Sequence, residues 1–433
     1  MKFKIYDLNE AYNYLKDKLA NRGRTRSIEV IDKVSKIVND VRKYGDMAVI
    51  GFTKEFDKVE LTSQEIKVSQ KEIENAYNQV SREFVEAIKT AKANIEKFHT
   101  LQLRTLWFTE TSKGLFVGQK YSPLKSVGIY VPGGRASYPS TVLMAAVPAK
   151  VAGVEEIILC SPPALNGGID PSILVAANEV GVNKIYKIGG AQAIAAMAYG
   201  TETIPRVEKI IGPGNIYVTT AKLIVSSDVR IDLPAGPSEI LILADSTANP
   251  KFIAHDLIAQ AEHDPNASCI LLAESTNILN QVSDELNTLI PSSNRREIIE
   301  KALESNSLFI QATSLAEALN FINDFAPEHL ELLVNDPFKL LPSIKNAGAI
   351  FLGEMSPVAV GDLIAGSNHI LPTGGYAKTY SGLTVNDFIK SIDLVYATRE
   401  GLKKISKHLS EIAVYEKLFE HKKSVDARIS DDK

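Results

Sequence analysis

The sequence predicts an α/β protein with two parallel-sheet units, and three observations support this fold class. The chain has 433 residues, more than the ~250–300 at which one hydrophobic core stops growing, so two or more domains are expected. From about residue 126, short apolar runs alternate with amphipathic helical stretches, which indicates parallel strands covered by helices. The alternation occurs in two series, separated by the turn-rich segment DLPAGPS at 232–238.

Before this alternation begins, the chain has a mainly helical pattern. The stretch SIEVIDKVSKIVNDVRKYGD predicts a helix that Gly45 ends. Its apolar residues recur at helical spacing, namely Ile28, Ile31, Val34, Ile37 and Val41. Charge-rich helices are expected to follow as far as His99.

The two series of apolar runs define the predicted sheets. The first includes SVGIYVP, EEIILCSPP, KIYKIGG and VEKIIGPG, and the second runs from SEILILAD through ASCILLAES and SLFIQAT to AGAIFLG. Cys160 and Cys269 lie inside two of these runs. We therefore interpret both as buried core thiols rather than as a disulfide or a metal-binding pair.

Two later segments do not fit a sheet. Residues 361–382, GDLIAGSNHILPTGGYAKTYSG, have neither helix nor strand pattern, and irregular segments of this length are usually lids, binding loops or disordered. This one is too apolar for disorder, so we expect it to pack against the protein. Residues 399–428 predict a charged helix with too few core residues to stand alone, which favours docking on another surface such as a second subunit.

Composition and charge exclude several classes of protein. The formal net charge is -4 with interspersed signs, which gives no basic field for nucleic acid. No segment approaches the ~18 consecutive apolar residues of a membrane span. The first residues, MKFKIYDLNEAYNYL, lack the apolar core of a signal peptide. We expect a cytoplasmic protein with no nucleic-acid or membrane partner.

Glycine turns follow three of the predicted strands of the first series. They occur in YVPGGRASYPS, IGGAQAIAAM and IGPGNIYVTTAK. Each turn precedes a helix, where free backbone N–H groups favour an anion such as a pyrophosphate. None matches G-x-G-x-x-G, so the pattern leaves open both a nucleotide site and the ordinary turns of an α/β fold.

The residues able to do chemistry are few. Gln260 and His263 are three apart at a helix end, so they share a face and either converge on one ligand or act as polar caps. Glu328 directly precedes His329, and both can face one pocket only in an irregular turn, which Pro327 favours. Such a pair can divide proton transfer between a carboxylate and an imidazole, although surface residues are the alternative.

Further candidates come from distant segments. Asp362 belongs to the irregular segment, and His421 lies near the end of the chain with Glu416 five residues before it. A divalent metal takes Asp and His ligands gathered from separate segments in this way. Spacing alone leaves open whether these side chains meet.

Several long blocks together resemble one family. They are VGIYVPGGRASYPSTVLM, GGAQAIAAMAYGTETIPRVEKIIGPGNIYVTTAK, DLPAGPSEILILAD, AQAEHDP, APEHLEL and GDLIAGSNHILPTGGYAKTYSGL. In this order they resemble the histidinol dehydrogenase family over nearly the whole chain. The resemblance implies a zinc-dependent enzyme that oxidises L-histidinol to L-histidine through L-histidinaldehyde with two NAD+.

The resemblance also implies roles for individual residues. It assigns the catalytic pair to Glu328 and His329. It assigns zinc to Gln260, His263, Asp362 and His421. It assigns substrate contacts to Ser238, Gln260, His263, His329, Asp362, Glu416 and His421. It assigns NAD contacts to Tyr130, Gln192 and Asn215. The stretch AVYEKLFEHKKSVDARI, which contains Glu416 and His421, is the part of the chain least similar to the family.

The family fold is a homodimer of subunits with two incomplete Rossmann-like domains. The resemblance therefore implies a first α/β domain from 26–129 and 237–382, with a second inserted at 130–236. An N-terminal segment covers 1–25. The helical segment 383–433 is expected to be exchanged between subunits, so that Glu416 and His421 complete the partner's site.

Two other functions are consistent with parts of the sequence. A relative of the same fold could oxidise another small polar alcohol, but an acid at Glu416 suits a cationic amino alcohol better. A non-catalytic NAD-binding regulator is expected to lack Glu328 or His329, and this chain has both.

Overall fold

The protein is described by a computed structural model over residues 3–21, 28–133, 137–233 and 236–430. The glycine segment YVPGGRASYPS and the crossing segment DLPAGPS each include residues outside these ranges. The expected terminal pieces, 1–25 and 383–433, also extend beyond them.

Helices and strands account for most of the described chain. The strands are β1 (Ile5–Asp7), β2 (Trp107–Ser112), β3 (Leu115–Pro123), β4 (Ser126–Tyr130), β5 (Glu156–Ser161), β6 (Lys184–Lys187), β7 (Lys209–Ile211), β8 (Arg230–Ile231), β9 (Glu239–Ala244), β10 (Ser268–Ala273), β11 (Ser307–Gln311), β12 (His329–Leu333), β13 (Ala349–Leu352) and β14 (Ile389–Ala397). The helices are α1 (Leu8–Asn21), α2 (Ile28–Phe56), α3 (Gln70–Ala76), α4 (Arg82–Thr100), α5 (Pro139–Ala152), α6 (Pro171–Val180), α7 (Gly190–Tyr199), α8 (Ile216–Val225), α9 (Pro250–Ala261), α10 (Thr276–Leu289), α11 (Arg296–Asn306), α12 (Leu315–Phe325), α13 (Val358–Leu363), α14 (Arg399–Tyr415) and α15 (Phe419–Ser430). Within the described ranges, no helix is both long enough and apolar enough to span a bilayer.

Sheet I is parallel, with strand order β1-β11-β10-β9-β12-β13. Its central strands are buried along their whole length because helices cover both faces. Helices α9, α10 and α11 pack on one face, and α1 and α12 pack on the other. The N-terminal piece contributes β1 as well as α1, so it is part of this sheet.

Sheet II is also parallel, with order β6-β5-β4-β7-β8. Helices α5 and α6 cover one face together with α3 and α4, while α7 and α8 cover the other together with α2. The two parallel-sheet cores confirm the predicted fold class. Helices α2, α3 and α4, which fall in the expected first domain of 26–129 and 237–382, pack on sheet II.

Helix α2 contains the glycine that was predicted to end it. Gly45 has φ 52° and ψ -132°, outside helical geometry, but the chain resumes a helix after this kink and continues to Phe56. The N–H of Asp46 donates to the Glu202 carboxylate at 2.8 Å instead of to a helical carbonyl. A side chain from a distant segment therefore replaces the broken helical bond, which spacing along the sequence could not show.

Sheet III was not predicted. It is antiparallel, with order β14-β3-β2, and joins the segment before sheet II to the segment after the long irregular loop. The C-terminal end then forms two helices rather than one, with Lys417 at φ 60° between them. Only Gly401 and Ala413 are buried in α14, and no residue is buried in α15.

The long segment 361–382 is packed, as expected from its apolar residues. Its first residues complete α13, and Ile370 and Leu371 are buried. The Asn368 amide donates to the Met144 carbonyl at 2.7 Å, and the N–H of Leu383 donates to the Ile370 carbonyl at 2.9 Å. This segment therefore connects the helices on sheet II to the end of α13.

Both cysteines have the predicted character. Cys160 and Cys269 are free and fully buried in β5 and β10. Burial raises the pKa of each thiol well above its ordinary value. Neither thiol is therefore available as a thiolate at neutral pH, which confirms the interpretation of both as core residues.

A buried ion pair fixes the turn between β7 and α8. Lys222 and Asp232 form an ion pair with both side chains at most 5% exposed. The Lys222 ammonium also donates to the Gly212 carbonyl at 3.0 Å, and the Gly212 N–H donates to the Asp232 carboxylate at 2.8 Å. Gly212 adopts φ 126°, which L side chains rarely adopt. The ion pair thus binds both the N–H and the carbonyl of Gly212.

We predict that Lys222→Met lowers the free energy of unfolding by about 3–5 kcal/mol, because it leaves a buried Asp232 carboxylate without its cation. Urea denaturation followed by circular dichroism measures the change. The exposed pair Lys339–Asp336 is the matched control, since Lys339→Met removes a cation that solvent already screens. Equal destabilisation by both variants would contradict a special role for the buried pair.

Candidate active site

The candidate residues gather at the amino-terminal edge of sheet I. Glu239 begins β9 and His329 begins β12, and Ser238 and Glu328 directly precede them. Ser238 is partly exposed, and its carbonyl accepts the Ser268 N–H at 3.0 Å. This edge is the reverse of the carboxyl edge where ligands usually bind in doubly wound sheets.

An irregular turn brings Glu328 and His329 to one site, as the sequence predicted. Helix α12 ends at Phe325, and Ala326 then adopts the left-handed conformation with φ 51°. Pro327 follows and cannot continue the helix. Successive strand residues face opposite ways, so this turn before β12 is what allows both side chains to converge. The Glu328 carboxylate lies 3.6 Å from His329 Nδ1.

The backbone of Glu239 holds both members of the pair. Its N–H donates to Glu328 Oε2 at 2.8 Å, and its carbonyl lies 3.0 Å from His329 Nδ1. A carbonyl can only accept, so Nδ1 carries the proton and Nε2 keeps its lone pair whenever the imidazole is neutral. His329 Nε2 has no hydrogen-bond partner among the described residues.

Asp362 faces His329 from the end of α13. Its Oδ1 lies 3.5 Å from His329 Nε2. Burial by itself would raise the pKa of Asp362, but the imidazoles of His329, His369 and His263 hold that pKa below its ordinary value. Asp362 is therefore ionised at neutral pH and electrostatically close to three histidines.

The electrostatic environment shifts the pKa of both Glu328 and His329 upward. Burial raises the pKa of Glu328 to about 8, although His329 and the Glu239 N–H oppose that rise. Burial lowers the pKa of His329, but the Glu328 and Asp362 carboxylates outweigh it and raise that pKa to about 9. One carboxylic acid and one imidazole that titrate in this range can each hold or release a proton at physiological pH.

Gln260 and His263 occupy the end of α9, where the sequence predicted them. Gln260 is 2% exposed, and its Nε2 has no hydrogen-bond partner in the described chain. His263 Nδ1 lies 2.9 Å from the Ala259 carbonyl, so Nδ1 is the donor and Nε2 presents its lone pair. Metal-binding histidines are commonly oriented by such a bond through the other ring nitrogen.

These side chains are of the types that bind a divalent cation, but too few of them come together within one chain to form a complete site. An amide without a partner, an imidazole with an oriented lone pair and an ionised Asp362 supply the oxygen and nitrogen donors that zinc accepts. Within one chain, the described residues contain no group of three or more His, Cys, Asp or Glu that could hold a metal ion. Glu416 and His421 are exposed on the C-terminal segment, with no hydrogen bond to these residues in the described chain.

The expected NAD contacts lie at the carboxyl edge of sheet II. Tyr130 ends β4, Gln192 lies in the first turn of α7 after β6, and Asn215 caps α8 after β7. The Tyr130 hydroxyl accepts the Gly190 N–H at 3.1 Å. Gln192 is 1% exposed, and neither amide atom has a hydrogen-bond partner within the described ranges. A buried amide of this kind is ready to bind a polar ligand.

Some residues near the site were not predicted. His369 joins Asp362 to sheet II, because its Nδ1 lies 2.9 Å from the Asp362 carbonyl and its Nε2 lies 3.2 Å from the Thr141 hydroxyl. Behind His329, the buried Glu331 lies beside the half-buried Asp256, and the two form a carboxyl pair. Two signals could have revealed this pair: strand alternation puts Glu331 on the face of His329, and helical spacing puts Asp256 on the face of Gln260.

Comparison with known proteins identifies the family. The family model described as histidinol dehydrogenase matches residues 20–429. The chain is 47% identical to the histidinol dehydrogenase of Methanosarcina mazei, covering 98% of this chain and 97% of that protein. It is 48% identical to that of Methanocaldococcus jannaschii, with 98% of each covered. The crystal structure of histidinol dehydrogenase from Elizabethkingia anophelis aligns with a TM-score of 0.94 at 42% identity, covering 99% of this chain and 98% of that one. The chain therefore belongs to the histidinol dehydrogenase family.

Proposed function

We propose that the protein oxidises L-histidinol to L-histidine through L-histidinaldehyde and consumes two NAD+. One observation supports this proposal. In this chain, which belongs to the histidinol dehydrogenase family, the buried Glu328 and His329 lie side by side and next to an ionised Asp362. An alcohol-to-acid oxidation needs a base for the hydroxyl proton and a base for water, and the pair supplies two such groups. The reaction would make the protein an enzyme of histidine biosynthesis.

Zinc is the proposed metal, held by Gln260, His263 and Asp362 together with His421 from a second copy of the chain. When bound, zinc supplies a Lewis acid and a template for the imidazole and amine of the substrate. Ser238 and Glu416 complete the proposed substrate contacts. Glu416 suits histidinol because its carboxylate can accept a hydrogen bond from the amine or imidazole N–H of the substrate.

His329 is the proposed base for the first oxidation. Glu328 and Asp362 keep His329 protonated in the free protein, so His329 must enter the reaction neutral. A cation bound to Asp362 would cancel one of the two charges that raise the His329 pKa. His329 Nε2 would then take the hydroxyl proton as the first hydride leaves the alcohol carbon. The Glu239 carbonyl holds Nδ1–H and so keeps Nε2 as the accepting atom.

Glu328 is the proposed base for the second oxidation. As a carboxylate, it would take a proton from water while that water attacks the aldehyde carbon. His329 would return its first proton to the oxygen of the attacked aldehyde and then take a hydroxyl proton of the resulting hydrate when the second hydride leaves, giving the carboxylic acid of L-histidine, which loses its proton to water. The raised pKa of Glu328 makes its carboxylate a stronger base than an exposed one. Tyr130, Gln192 and Asn215 would hold each NAD+ in turn.

A homodimer with shared sites accounts for the exposed C-terminal segment. Sheet III and the C-terminal helices expose several large apolar side chains, namely Trp107, Phe108, Val395, Tyr396, Ile412, Tyr415 and Phe419. Trp107 and Phe108, like Val395 and Tyr396, are successive strand residues, so both faces of sheet III expose apolar side chains, which is typical of a segment that packs between subunits. A second copy on this surface would bury these residues and bring Glu416 and His421 to the other subunit's Gln260, His263 and Asp362.

We predict that each L-histidinol yields two NADH with zinc present, and that chelation abolishes the yield. Absorbance of NADH against a limiting amount of alcohol gives the ratio. Zinc added back should restore it, whereas magnesium should not, because nitrogen ligands favour zinc. A ratio of one would instead indicate a simple alcohol dehydrogenase, and an unchanged yield after chelation would exclude the metal.

We predict that Glu328→Gln reduces the yield to one NADH, because the amide cannot take a proton from water. The variant should still reduce L-histidinaldehyde with NADH, which tests the alcohol step without the hydration step. His329→Asn is the comparison and should slow both steps. Complete oxidation by Glu328→Gln would contradict the assigned division of roles.

We predict that two variants unable to complete the oxidation to L-histidine recover the complete reaction when their subunits are mixed. Glu328→Gln and His421→Asn remove groups that the shared site takes from different subunits, so a mixed dimer contains one intact site. Denaturing the two variants together and refolding them should restore up to half of the wild-type activity per mixed dimer. Lack of recovery, with mixed dimers demonstrated by tagged subunits, would show that each site is built from one chain.

A further inference from the structure

The proposed mechanism leaves one pair of neighbouring acids without a role. Glu331 is completely buried on β12, and Asp256 lies half-buried on α9 in contact with it. A buried carboxyl group is costly unless it is bonded or protonated, so Glu331 needs an explanation. The surrounding residues are apolar side chains of α9 and of the same face of sheet I.

The contacts of Glu331 are specific. Its Oε1 accepts the Val358 N–H at 2.9 Å, at the start of α13. Its Oε2 is buried, and no donor reaches it within the described chain. The Asp256 carboxyl lies within hydrogen-bonding reach of Glu331. Burial raises the pKa of both groups, and the Asp256 charge raises that of Glu331 further. Two carboxyl groups in contact bond only when one proton lies between them.

The pair meets three elements that each carry a candidate site residue. Asp256 is one helical turn before Gln260 on α9, and Glu331 is two residues after His329 on the same face of β12. The N–H of Val358 donates to Glu331, and Val358 is one helical turn before Asp362 on α13. The pair thus ties the backbone of α13 and a side chain of α9 to the strand that presents His329.

We propose that Glu331 and Asp256 are positioning residues: Glu331 holds α13, which carries Asp362, through the Val358 N–H, and its contact with Asp256 holds α9, which carries Gln260, in register with His329. This inference rests on the proposed function for its kinetic readout. A small displacement of reacting groups slows catalysis strongly, and loss of supporting partners around a metal site typically costs 10–100-fold in metal affinity or activity. Hydrogen bonds, rather than negative charge, are what the pair contributes.

Two substitutions at one position separate hydrogen bonding from packing. In Glu331→Gln, the side-chain carbonyl can still accept the Val358 N–H and the amide can donate to Asp256, so the variant should keep kcat within about threefold of wild type. In Glu331→Leu, the volume is similar but both bonds are lost. This variant should lower kcat by about 10–100-fold and weaken zinc binding by a similar factor.

Leu332→Ala is the matched control for simple loss of stability. Leu332 is fully buried on the same strand but packs on the opposite face, against α12. It should lower the melting temperature about as much as Glu331→Leu and leave kcat and zinc affinity near wild type. Asp256→Leu loses only the bond between the two acids, so it should lower kcat less than Glu331→Leu, and the double variant should be no worse than Glu331→Leu.

The measurements are kcat and KM for each substrate, melting temperature, and zinc affinity by competition with a chromogenic chelator. The proposal is overturned if Glu331→Gln is as impaired as Glu331→Leu, or if Leu332→Ala loses as much zinc affinity and kcat as Glu331→Leu. Zinc affinity and melting temperature require no turnover. If the wild-type protein failed to oxidise L-histidinol, the proposed function would fall while the zinc comparison would still decide this inference.

Discussion

The backbone of Glu239 is the contact on which the candidate site depends. Its N–H and carbonyl bond to two successive side chains, Glu328 and His329, which a regular strand would direct to opposite faces of the sheet. The register of β9 against β12 sets this contact, since Ile240 lies opposite His329. The orientation of the imidazole is therefore a property of the central strands of sheet I, and a rigid scaffold rather than a loop defines it.

The second constraint is the joining of two sheets that do not share strands. The segment after α13 connects them: His369 bonds to Asp362 on one side and to Thr141 on the other, and Asn368 bonds to the carbonyl of Met144. The amino edge of sheet I, with the acid–base pair, is linked in this way to the helix that follows β4. Hydride transfer needs such coupling, because the cofactor and the proton-transfer groups must be aligned to within a fraction of an ångström.

Sequence reasoning recovered the features that local pattern determines. Apolar runs that alternate with helices indicated both parallel sheets, and Pro327 indicated the turn before His329. Sheet III was missed because β2 is mostly exposed and β3 mostly half-buried in one chain, so neither shows a buried face, and their partner β14 lies far along the sequence. Glu331 was missed because a carboxylate inside a buried strand contradicts local preference. The metal and substrate roles came from resemblance, since spacing cannot show which distant side chains meet.

The pairing of β14 with β3 also has a consequence for how the protein is made. A ribosome releases β3 early and β14 almost last, so for most of translation one edge of β3 has no neighbour, and the aromatic surface beside it is uncovered. Unpaired strand edges promote aggregation in nascent chains. Loss of β14 by truncation would therefore harm solubility during synthesis as well as the pairing of sheet III.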